Sequence, residues 1–284
     1  MFERFARSWS LIKASASVLR QDKELLLFPL LSSIATLLVM AAFILPALGL
    51  GALDGLQRMD EEGVPPLVYL LAFLFYLSQY FVIFFFNTAL VGAAMIRLKG
   101  GDPTVSDGLR IASGKIGVIF GYALIAATVG MILRAIQERA GWLGRWIAGL
   151  LGAAWTVASF LVVPVLVSRD IGPMEAVKES ALLLKRTWGE NVIGQGGIGL
   201  VFGLINFLVV VAGVALIVAA AMSQSAVLIG LSIAVLVVAL LLGALIQAAL
   251  SGIYSAALYR YASGEGESAG FEGALLTQAF APKR

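Results

Sequence analysis

The chain has 284 residues, of which 60% are hydrophobic and only 13% are charged, and its mean hydropathy is +0.96. Soluble domains carry about 25% charged residues, so this composition is typical of a multi-pass membrane protein and leaves no room for a large soluble core. The chain has no cysteine and no histidine, which excludes disulfides, thiolate or imidazole metal sites and a histidine general base, and its net charge of +3 does not indicate nucleic-acid binding.

Five stretches without any charged residue mark the predicted membrane spans. They are residues 25–53, 63–96, 116–133, 146–168 and 191–259. Because an α-helix needs about 20 residues to cross the hydrocarbon layer, each of the first four stretches supplies one span. The fifth holds two spans with a turn at residues 223–225, since three would leave about 23 residues each with turns included. We therefore predict an all-α polytopic membrane helix bundle with about six transmembrane helices.

Lysine and arginine are distributed unequally between the two sides that six spans create. Sixteen of the 20 lie on the side of the two termini, and four lie on the other side. Those four are Arg58, Arg134, Arg139 and Arg145. Because Lys and Arg accumulate in cytoplasmic segments, we expect both termini in the cytoplasm, although the loop with three arginines argues against this orientation. The first 24 residues carry eight charges, so we expect no signal-peptide core there and a first span that stays as an anchor.

A short charged segment precedes each predicted pair of spans. Residues 11–25 align without gaps with residues 176–190, and the segment around Asp102 aligns more loosely. The matched pairs include Lys13 with Lys178 and Ser15 with Ser180. This similarity predicts three parallel repeats, each an interfacial helix followed by a two-span hairpin. Chance similarity between interfacial helices is the alternative.

The repeats divide a single predicted membrane domain. The domain covers residues 1–284, with repeats at about 1–96, 97–168 and 169–262 and a cytoplasmic tail at 263–284. Each repeat begins and ends on the cytoplasmic side, so the repeats are related by an axis near the membrane normal.

The charged segments are predicted to form amphipathic helices. In the third segment the apolar stripe comprises Val177, Ala181, Leu184 and Trp188, and in the first it comprises Phe2, Phe5, Trp9, Ile12, Ala16 and Leu19. Helices this short and polar cannot span, but they can lie among headgroups with their cations near anionic lipid. Two roles stay open, an elbow that orients each hairpin and a surface for lipid or a partner protein. The candidate surface comprises Lys13, Arg20, Lys178, Lys185, Arg186 and Trp188.

The predicted spans contain no Asp, Glu, Lys, Arg or His, which disfavours a proton or ion pathway. Their polar residues either form hydrogen bonds between helices or line a polar track, and the first candidates for such a track are Asn87, Asn206 and Gln247. The small-residue pairs Gly199/Gly203 and Gly117/Gly121 favour close helix packing or dimerisation. We predict no catalytic residue, no metal ligand and no cofactor-binding residue.

Four stretches carry a resemblance over nearly the whole chain. They are RSWSLIKASASVLRQDKELLLFPLLS, GGDPTVSDGLR, AAWTVASFLVVPVLV and GPMEAVKESALLLKRTWGEN. Together they resemble a family of prokaryotic integral membrane proteins known only as a domain of unknown function. More distantly, the chain is similar to the multi-pass membrane domain of some bacterial glycerophosphodiester phosphodiesterases. We expect no catalytic phosphodiesterase domain within these 284 residues, so that activity is not carried over. The resemblance implies the architecture and a prokaryotic inner-membrane location, and it transfers no functional residue.

These observations favour a non-enzymatic inner-membrane protein. It would act as a scaffold or accessory subunit, or organise lipid through its cytoplasmic amphipathic helices. The alternative is a channel or uncoupled transporter for a small or lipidic solute, and an enzyme acting on lipid is disfavoured. The expected partners are membrane lipids, with a membrane protein or a second copy of the chain as further candidates, and no nucleic acid.

Overall fold

The fold is known from a computed structural model, which describes residues 2–49, 65–139, 141–186 and 188–265. Every regular element in these residues is helical, so the prediction of an all-α fold is confirmed. The α-helices are α1 (Phe2–Gln21), α2 (Leu27–Gly49), α3 (Pro66–Leu98), α4 (Val105–Gly114), α5 (Ile116–Arg139), α6 (Gly141–Ser159), α7 (Val162–Ser168), α8 (Pro173–Arg186), α9 (Trp188–Met222) and α10 (Ala226–Ser263). A 3-10 helix at Lys23–Leu26 joins α1 to α2.

Six helical stretches in these residues are long and apolar enough to cross a membrane. They are Lys23–Gly49, Pro66–Leu98, Ile116–Glu138, Gly144–Ser168, Val201–Met222 and Ala226–Ser263. The long uncharged stretch therefore holds two spans, as predicted, and the chain is an integral membrane protein with the architecture of a polytopic helix bundle. The turn between these two spans lies where expected, because Gln224 adopts a left-handed backbone (φ 54°) and the Ser225 side chain caps α10 by accepting from Leu228 N.

The helices extend beyond the uncharged stretches that predicted them. As a result the candidate spans include charged side chains near their ends, which corrects the expectation that the spans hold no Asp, Glu, Lys, Arg or His. These side chains are Lys23, Glu24, Arg97, Arg134, Glu138, Arg145 and Arg260. The physical reason is that a helix continues for as long as its backbone hydrogen bonds are favourable, whereas the end of an apolar stretch marks only where the side chains change.

A short helix followed by two spans occurs three times along the chain, beginning at α1, α4 and α8. This order is what the predicted repeat requires, and the repeat relationship itself stays a prediction. Burial follows the same order, because the second span of each pair is continuously buried near its C-terminal end. The buried stretches are residues 88–95, 161–166 and 252–260. They lie next to Arg97 and Arg169, and the third includes Arg260.

The chain divides into two compact units, and the predicted single domain stays untested. We call Met1–Leu26, Ala94–Asp102 and Arg186–Arg284 the terminal unit, and Leu27–Ala93 and Pro103–Lys185 the central unit.

In the terminal unit, α1 packs against α9 and α10. The α9–α10 hairpin has a regular antiparallel register. A Cβ at Gly213 would lie 2.5 Å from Leu236, and a Cβ at Gly243 would lie 3.2 Å from Asn206 Oδ1. In each pair the two residues are equally far along the sequence from the turn between Gln224 and Ser225. The two helices therefore run alongside each other from the turn as far as Asn206.

In the central unit, aromatic side chains pack α3 against α5. The ring centroids of Phe84 and Tyr122 lie 4.4 Å apart in a stacked arrangement, and Phe81 meets Phe120 edge-on at 6.0 Å. Such pairs add to the area that the rings bury, which helps two apolar helices associate where lipid supplies no hydrophobic driving force. Glycine allows a second close approach, since a Cβ at Gly108 of α4 would lie 2.7 Å from the carbonyl oxygen of Ala89 in α3.

Candidate functional site

Helix α8 carries part of the predicted lipid or partner surface, and its first turn has the residues that favour a helix start. Pro173 is its first residue, where the missing N–H costs nothing, and the Glu175 carboxylate accepts a hydrogen bond from Gly172 N at 3.3 Å. A carboxylate in the first turn also faces the positive end of the helix dipole. The helix therefore has a defined start directly after the chain leaves α7.

The buried side of α8 docks on protein. Ala176 and Ser180 are fully buried, and Leu183 and Leu184 are nearly so. Ser180 Oγ accepts a hydrogen bond from Leu161 N at 3.0 Å, at the break between α6 and α7. This break lies just before Pro164, which cannot donate to the carbonyl one turn earlier. A side chain of α8 thus satisfies a backbone donor that the interrupted span exposes.

The predicted apolar stripe of α8 needs a correction. Val177 and Ala181 are only half-buried, and the buried stripe begins one position earlier at Ala176. Ser180 is buried because its hydroxyl accepts from Leu161 N at the break in the span, and Ala176 lies one turn earlier on the same side of α8. Residue 187 and the side chains of Arg186 and Trp188 lie outside the described residues, so the candidates Arg186 and Trp188 are not placed.

The opposite face of α8 is exposed and mixes cations with apolar side chains. Met174, Lys178, Leu182 and Lys185 follow one another at intervals of four, four and three residues, and all four are exposed. This spacing places them along one side of the helix. An exposed face of this composition suits the boundary between water and lipid, where apolar side chains point inward and lysines reach the headgroups.

Ion pairs fix the approach to α8. Arg169 Nη1 lies 2.9 Å from Glu179 Oε1, and Lys115 Nζ contacts both Asp170 Oδ1 at 3.2 Å and the carbonyl oxygen of Arg169 at 3.1 Å. Glu179 is therefore held by Arg169, while neither Lys178 nor Lys185 forms an ion pair with another of the described residues.

Helix α1 shows the same division into a buried and an exposed face. Ile12, Ala14, Ser15, Val18 and Leu19 are buried, and α1 packs on α9 and α10. Lys13 and Arg20, both predicted surface residues, are exposed. Of the described part of the predicted apolar stripe, Ile12 and Leu19 are buried, whereas Ala16 is half-buried. The side chains of residues 1–11, including the predicted Phe2, Phe5 and Trp9, lie outside the described residues.

A cluster of charges ties the end of α1 to the end of α3 in the terminal unit. Arg97 Nε donates to Asp22 Oδ2, and Arg97 Nη2 donates to Asp22 Oδ1 at 2.5 Å and to Asp102 Oδ1 at 2.6 Å. The Asp22 side chain is only 8% exposed, whereas that of Asp102 is 92% exposed. The bidentate Asp22 pair is the geometry that arginine supports best, and it neutralises a carboxylate that burial would otherwise destabilise.

Helix α4 begins with a reciprocal capping box. Thr104 Oγ1 accepts from Asp107 N at 3.2 Å and donates to Asp107 Oδ2 at 2.6 Å, while Thr104 N donates to the same oxygen at 3.0 Å. These hydrogen bonds lower the pKa of Asp107 below its usual range. The largest cause is the hydrogen bond from the Thr104 side chain, and the next is the one from the Thr104 backbone N–H. The carboxylate form is therefore part of the structure that starts α4.

Comparison with known families decides the classification. Residues 67–271 match a family described as a family of unknown function (DUF6159). The chain belongs to this family. It matches no curated protein and no solved structure. Membership of DUF6159 agrees with the predicted resemblance to a family of unknown function, and it assigns no activity and no functional residue to the positions described above.

In this member of DUF6159 the predicted polar track falls in two units. Asn206 of α9 and Gln247 of α10 are half-buried in the terminal unit, and Asn87 of α3 is half-buried in the central unit. Gln247 lies one turn beyond Gly243, which is the residue next to Asn206. The described contacts therefore bring Asn206 and Gln247 to neighbouring positions of one hairpin, and a track through all three stays a prediction.

The predicted glycine pairs face open space for the most part. A Cβ added at Gly117, Gly199 or Gly203 would meet no heavy atom within 4 Å, while a Cβ at Gly121 would lie 2.9 Å from Pro173. Gly121 thus lets α8 approach α5 closely, and the packing or dimerisation role of the other three stays a prediction. Among the described residues no group of three acidic, histidine or cysteine side chains could hold a metal ion.

The Asp22–Arg97–Asp102 cluster is the feature that the sequence reasoning missed. Asp22 and Arg97 lie just outside the uncharged stretches of the sequence, where single charges are common. The available signal was their position, since Asp22 directly follows α1 and Arg97 comes two residues after a buried stretch of α3. Charges at such junctions are candidates for pairs that lock one element to another.

Proposed function

We propose that this protein is a non-enzymatic component of the prokaryotic inner membrane that organises anionic lipid through its short amphipathic helices. The observation that carries the proposal is the exposed face of α8, where Lys178 and Lys185 alternate with the exposed apolar side chains Met174 and Leu182. A purely structural elbow needs only its buried side, so exposed apolar side chains beside lysines call for a further role in contact with lipid.

The exposed cations of α1 support the same proposal. Lys13 and Arg20 lie on the face of α1 opposite the buried Val18. Each Lys or Arg near an anionic membrane surface contributes about 1 kcal/mol of attraction, so a few such residues are enough to enrich anionic lipid around the protein. The role as scaffold or accessory subunit is compatible with this surface, because enriched lipid can recruit other membrane proteins.

The orientation belongs to the proposal. We propose that both termini and the helices α1, α4 and α8 face the cytoplasm, on the basis of the 16 Lys and Arg that share this side. Reporter fusions at the C-terminus test this, with cytoplasmic activity expected and periplasmic activity excluding it. The predicted similarity to the membrane domain of glycerophosphodiester phosphodiesterases stays a prediction and supplies no activity to the proposal.

The lipid role can be tested on the full chain in nanodiscs of phosphatidylcholine mixed with phosphatidylglycerol. Lipid retained after extraction is measured by mass spectrometry, and enrichment of phosphatidylglycerol is expected for the unaltered chain. The double variant Lys178→Gln/Lys185→Gln should lower this enrichment by about fivefold for each lysine at low salt. The control Lys178→Arg/Lys185→Arg keeps both charges and should retain it.

Two outcomes would exclude the proposal. Equal retention of neutral and anionic lipid by the unaltered chain would leave α8 as an elbow alone. Selective flux of a solute through proteoliposomes that is blocked by substitutions at Asn206 or Gln247 would favour the channel alternative instead.

A further inference from the structure

We propose that the exposed face at the start of α6 binds one glycerophospholipid molecule, with Arg145 holding the phosphate and the groove beside Trp142 and Trp146 holding an acyl chain. This inference concerns the end of the predicted outer loop, with Trp142 and Arg145, and the start of the span that follows it, with Trp146, Gly149 and Leu150. These residues lie at the opposite end of the α5–α6 hairpin from α8. It does not rest on the proposed role of α8, and either one can fail without the other.

The residues of this site share one side of a helix. Trp142, Arg145, Trp146, Gly149 and Leu150 line a groove of about 360 Å³, and their spacing of three, one, three and one residues aligns them along α6. The opposite side of the same turns is turned into the protein, since Gly144 and Ala148 are buried. The groove therefore follows the outward side of a span, which in an integral membrane protein is the side that lipid covers.

The shape of the groove depends on a glycine between large side chains. Gly149 has no heavy atom within 4 Å of the position a Cβ would take, while Trp142 and Trp146 are 69% and 68% exposed and Leu150 is equally exposed. The two indole rings and the leucine thus stand out from the helix on either side of a notch. An elongated apolar chain fits a notch with apolar walls, and the volume lies within the range of about 300–1,000 Å³ that small-molecule sites occupy.

The charge of the groove selects a phosphate. Arg145 is exposed and forms no ion pair with the residues that the structure describes. Its neighbour Arg134 behaves differently, because its Nε donates to Glu138 Oε1 at 2.8 Å and its Nη1 donates to Tyr76 OH at 2.5 Å. Of these two arginines on the predicted outer side, Arg134 is therefore engaged within the protein. Arg145 presents its guanidinium to whatever lies in the groove, and arginine pairs with phosphate through two parallel hydrogen bonds.

The position of the groove matches the depth of a headgroup. It lies at the first three turns of α6, next to the tip of the α5–α6 hairpin. Helix α5 has 24 residues, which corresponds to roughly 36 Å of helix. Indole rings are enriched at this level of a bilayer, where an apolar ring meets polar headgroups. A phosphate at Arg145 with a chain running from Trp146 toward Leu150 follows the direction in which a lipid enters the bilayer.

The site also explains a charge that the orientation rule does not. The loop from Arg134 to Arg145 carries three arginines on the side predicted to be poor in cations. A specific phosphate site is a reason for a cation to lie there, and a general aromatic anchor is not, since anchoring needs only the two rings.

The test uses the full chain in detergent with Trp9, Trp155 and Trp188 replaced by Phe, so that Trp142 and Trp146 are its remaining indole groups. The probe is dioctanoyl phosphatidylglycerol, and the matched probe without phosphate is dioctanoylglycerol. A saturable change in tryptophan emission is expected with the first, and binding at least about tenfold weaker with the second, because a hydrogen-bonded charge is lost. Native mass spectrometry of the chain with all its tryptophans gives an independent count of bound lipid if the Phe variant does not fold.

Three variants separate the parts of the site. Arg145→Gln should weaken phosphatidylglycerol binding by about tenfold, and Gly149→Leu should weaken it by closing the notch at unchanged charge. Lys178→Gln/Lys185→Gln, which tests α8, should leave binding in this groove unchanged. Equal responses to both probes, or Arg145→Gln binding as tightly as the unaltered chain, would reduce the face to an aromatic anchor. A dimer that Gly149→Leu disrupts would make it an interface between two copies, and this would also overturn the proposal.

Discussion

Ser180 accepts a hydrogen bond from the backbone N–H of Leu161 at 3.0 Å, and both residues are fully buried. This single contact joins helix α8 to the interrupted span formed by α6 and α7. A buried N–H without a partner costs about 1–3 kcal/mol, so the hydroxyl of Ser180 has a defined structural value.

Ser180→Ala should lower the free energy of unfolding by about 1–3 kcal/mol, because Leu161 N would stay buried without an acceptor. The measurement is the unfolding transition of the full chain in mixed micelles with increasing SDS. Ser113→Ala, at an exposed position of α4, is the control and should change the transition by less than about 0.5 kcal/mol. An unchanged transition for Ser180→Ala would mean that another group satisfies Leu161.

Ser15, the residue aligned with Ser180 in the predicted repeat, should respond in the opposite way. It is fully buried, and its Oγ makes no hydrogen bond within the described residues. Removing a buried hydroxyl that has no partner removes its desolvation cost, so Ser15→Ala should be neutral or raise the free energy of unfolding by up to about 1 kcal/mol. The same SDS titration measures this, and a loss of more than about 1 kcal/mol would show that the hydroxyl has a partner.

The spans were predictable because each depends on local composition alone. Uncharged stretches of sufficient length indicated all six, and the turn at Gln224 followed from length and from the polar residues there. The face of α8 was less predictable, since hydrophobicity indicated Val177 and Ala181 while the buried side carries Ala176 and Ser180. Side-chain size at a contact depends on the partner helix, which a single sequence does not reveal.

Pairing between distant charges was beyond the sequence for a similar reason. Asp22 and Arg97 are separated by 75 positions, and nothing in either local segment distinguishes them from solvated charges. The groove on α6 was partly predictable from the sequence. Its residues are spaced regularly in the sequence, but only the structure shows that Gly149 opens a notch and that Arg145 lies apart from the ion pairs around it.

Arg97→Gln should destabilise the protein because it leaves the Asp22 carboxylate buried without its bidentate partner. We expect a loss of about 3 kcal/mol, at the lower end for a broken buried ion pair, since Arg97 keeps about a fifth of its side chain exposed. The midpoint of thermal unfolding in detergent measures it.

Two further variants make this prediction specific. Asp22→Asn in the Arg97→Gln background should recover part of the lost stability, because the uncompensated charge is removed. Asp102→Asn should cost less than about 1 kcal/mol, since this carboxylate is almost fully exposed. If Asp102→Asn proved as damaging as Arg97→Gln, the exposed member would be the one that holds the cluster together.

Gly108→Ala should disrupt the contact between α4 and α3. The added methyl group would lie 2.7 Å from the carbonyl oxygen of Ala89 and would also meet the ring of Phe28, and a backbone oxygen cannot move aside as a flexible side chain can. We expect a destabilisation of about 1–3 kcal/mol by overpacking. Gly117→Ala is the matched control, because its Cβ meets nothing within 4 Å and its helix should gain up to about 1 kcal/mol. Pulse proteolysis of the two variants compares them directly, and equal resistance would contradict the predicted clash.

The capping box of α4 should make the start of this helix sensitive to acid. Hydrogen bonds from Thr104 lower the pKa of Asp107 in the folded protein below its unfolded value, so the carboxylate contributes stability above the unfolded pKa. That contribution is lost as the pH falls through the folded pKa, below the ordinary range of an aspartate near 3.8.

Thr104→Val removes the largest cause of the shift and should move the pKa of Asp107 back toward its ordinary value. NMR titration of the ¹³C-labelled Asp107 carboxyl measures this, with Ser106→Ala as a control that leaves both partners in place. An unchanged pKa in Thr104→Val would assign the shift to the backbone N–H of residue 104 instead of to the hydroxyl.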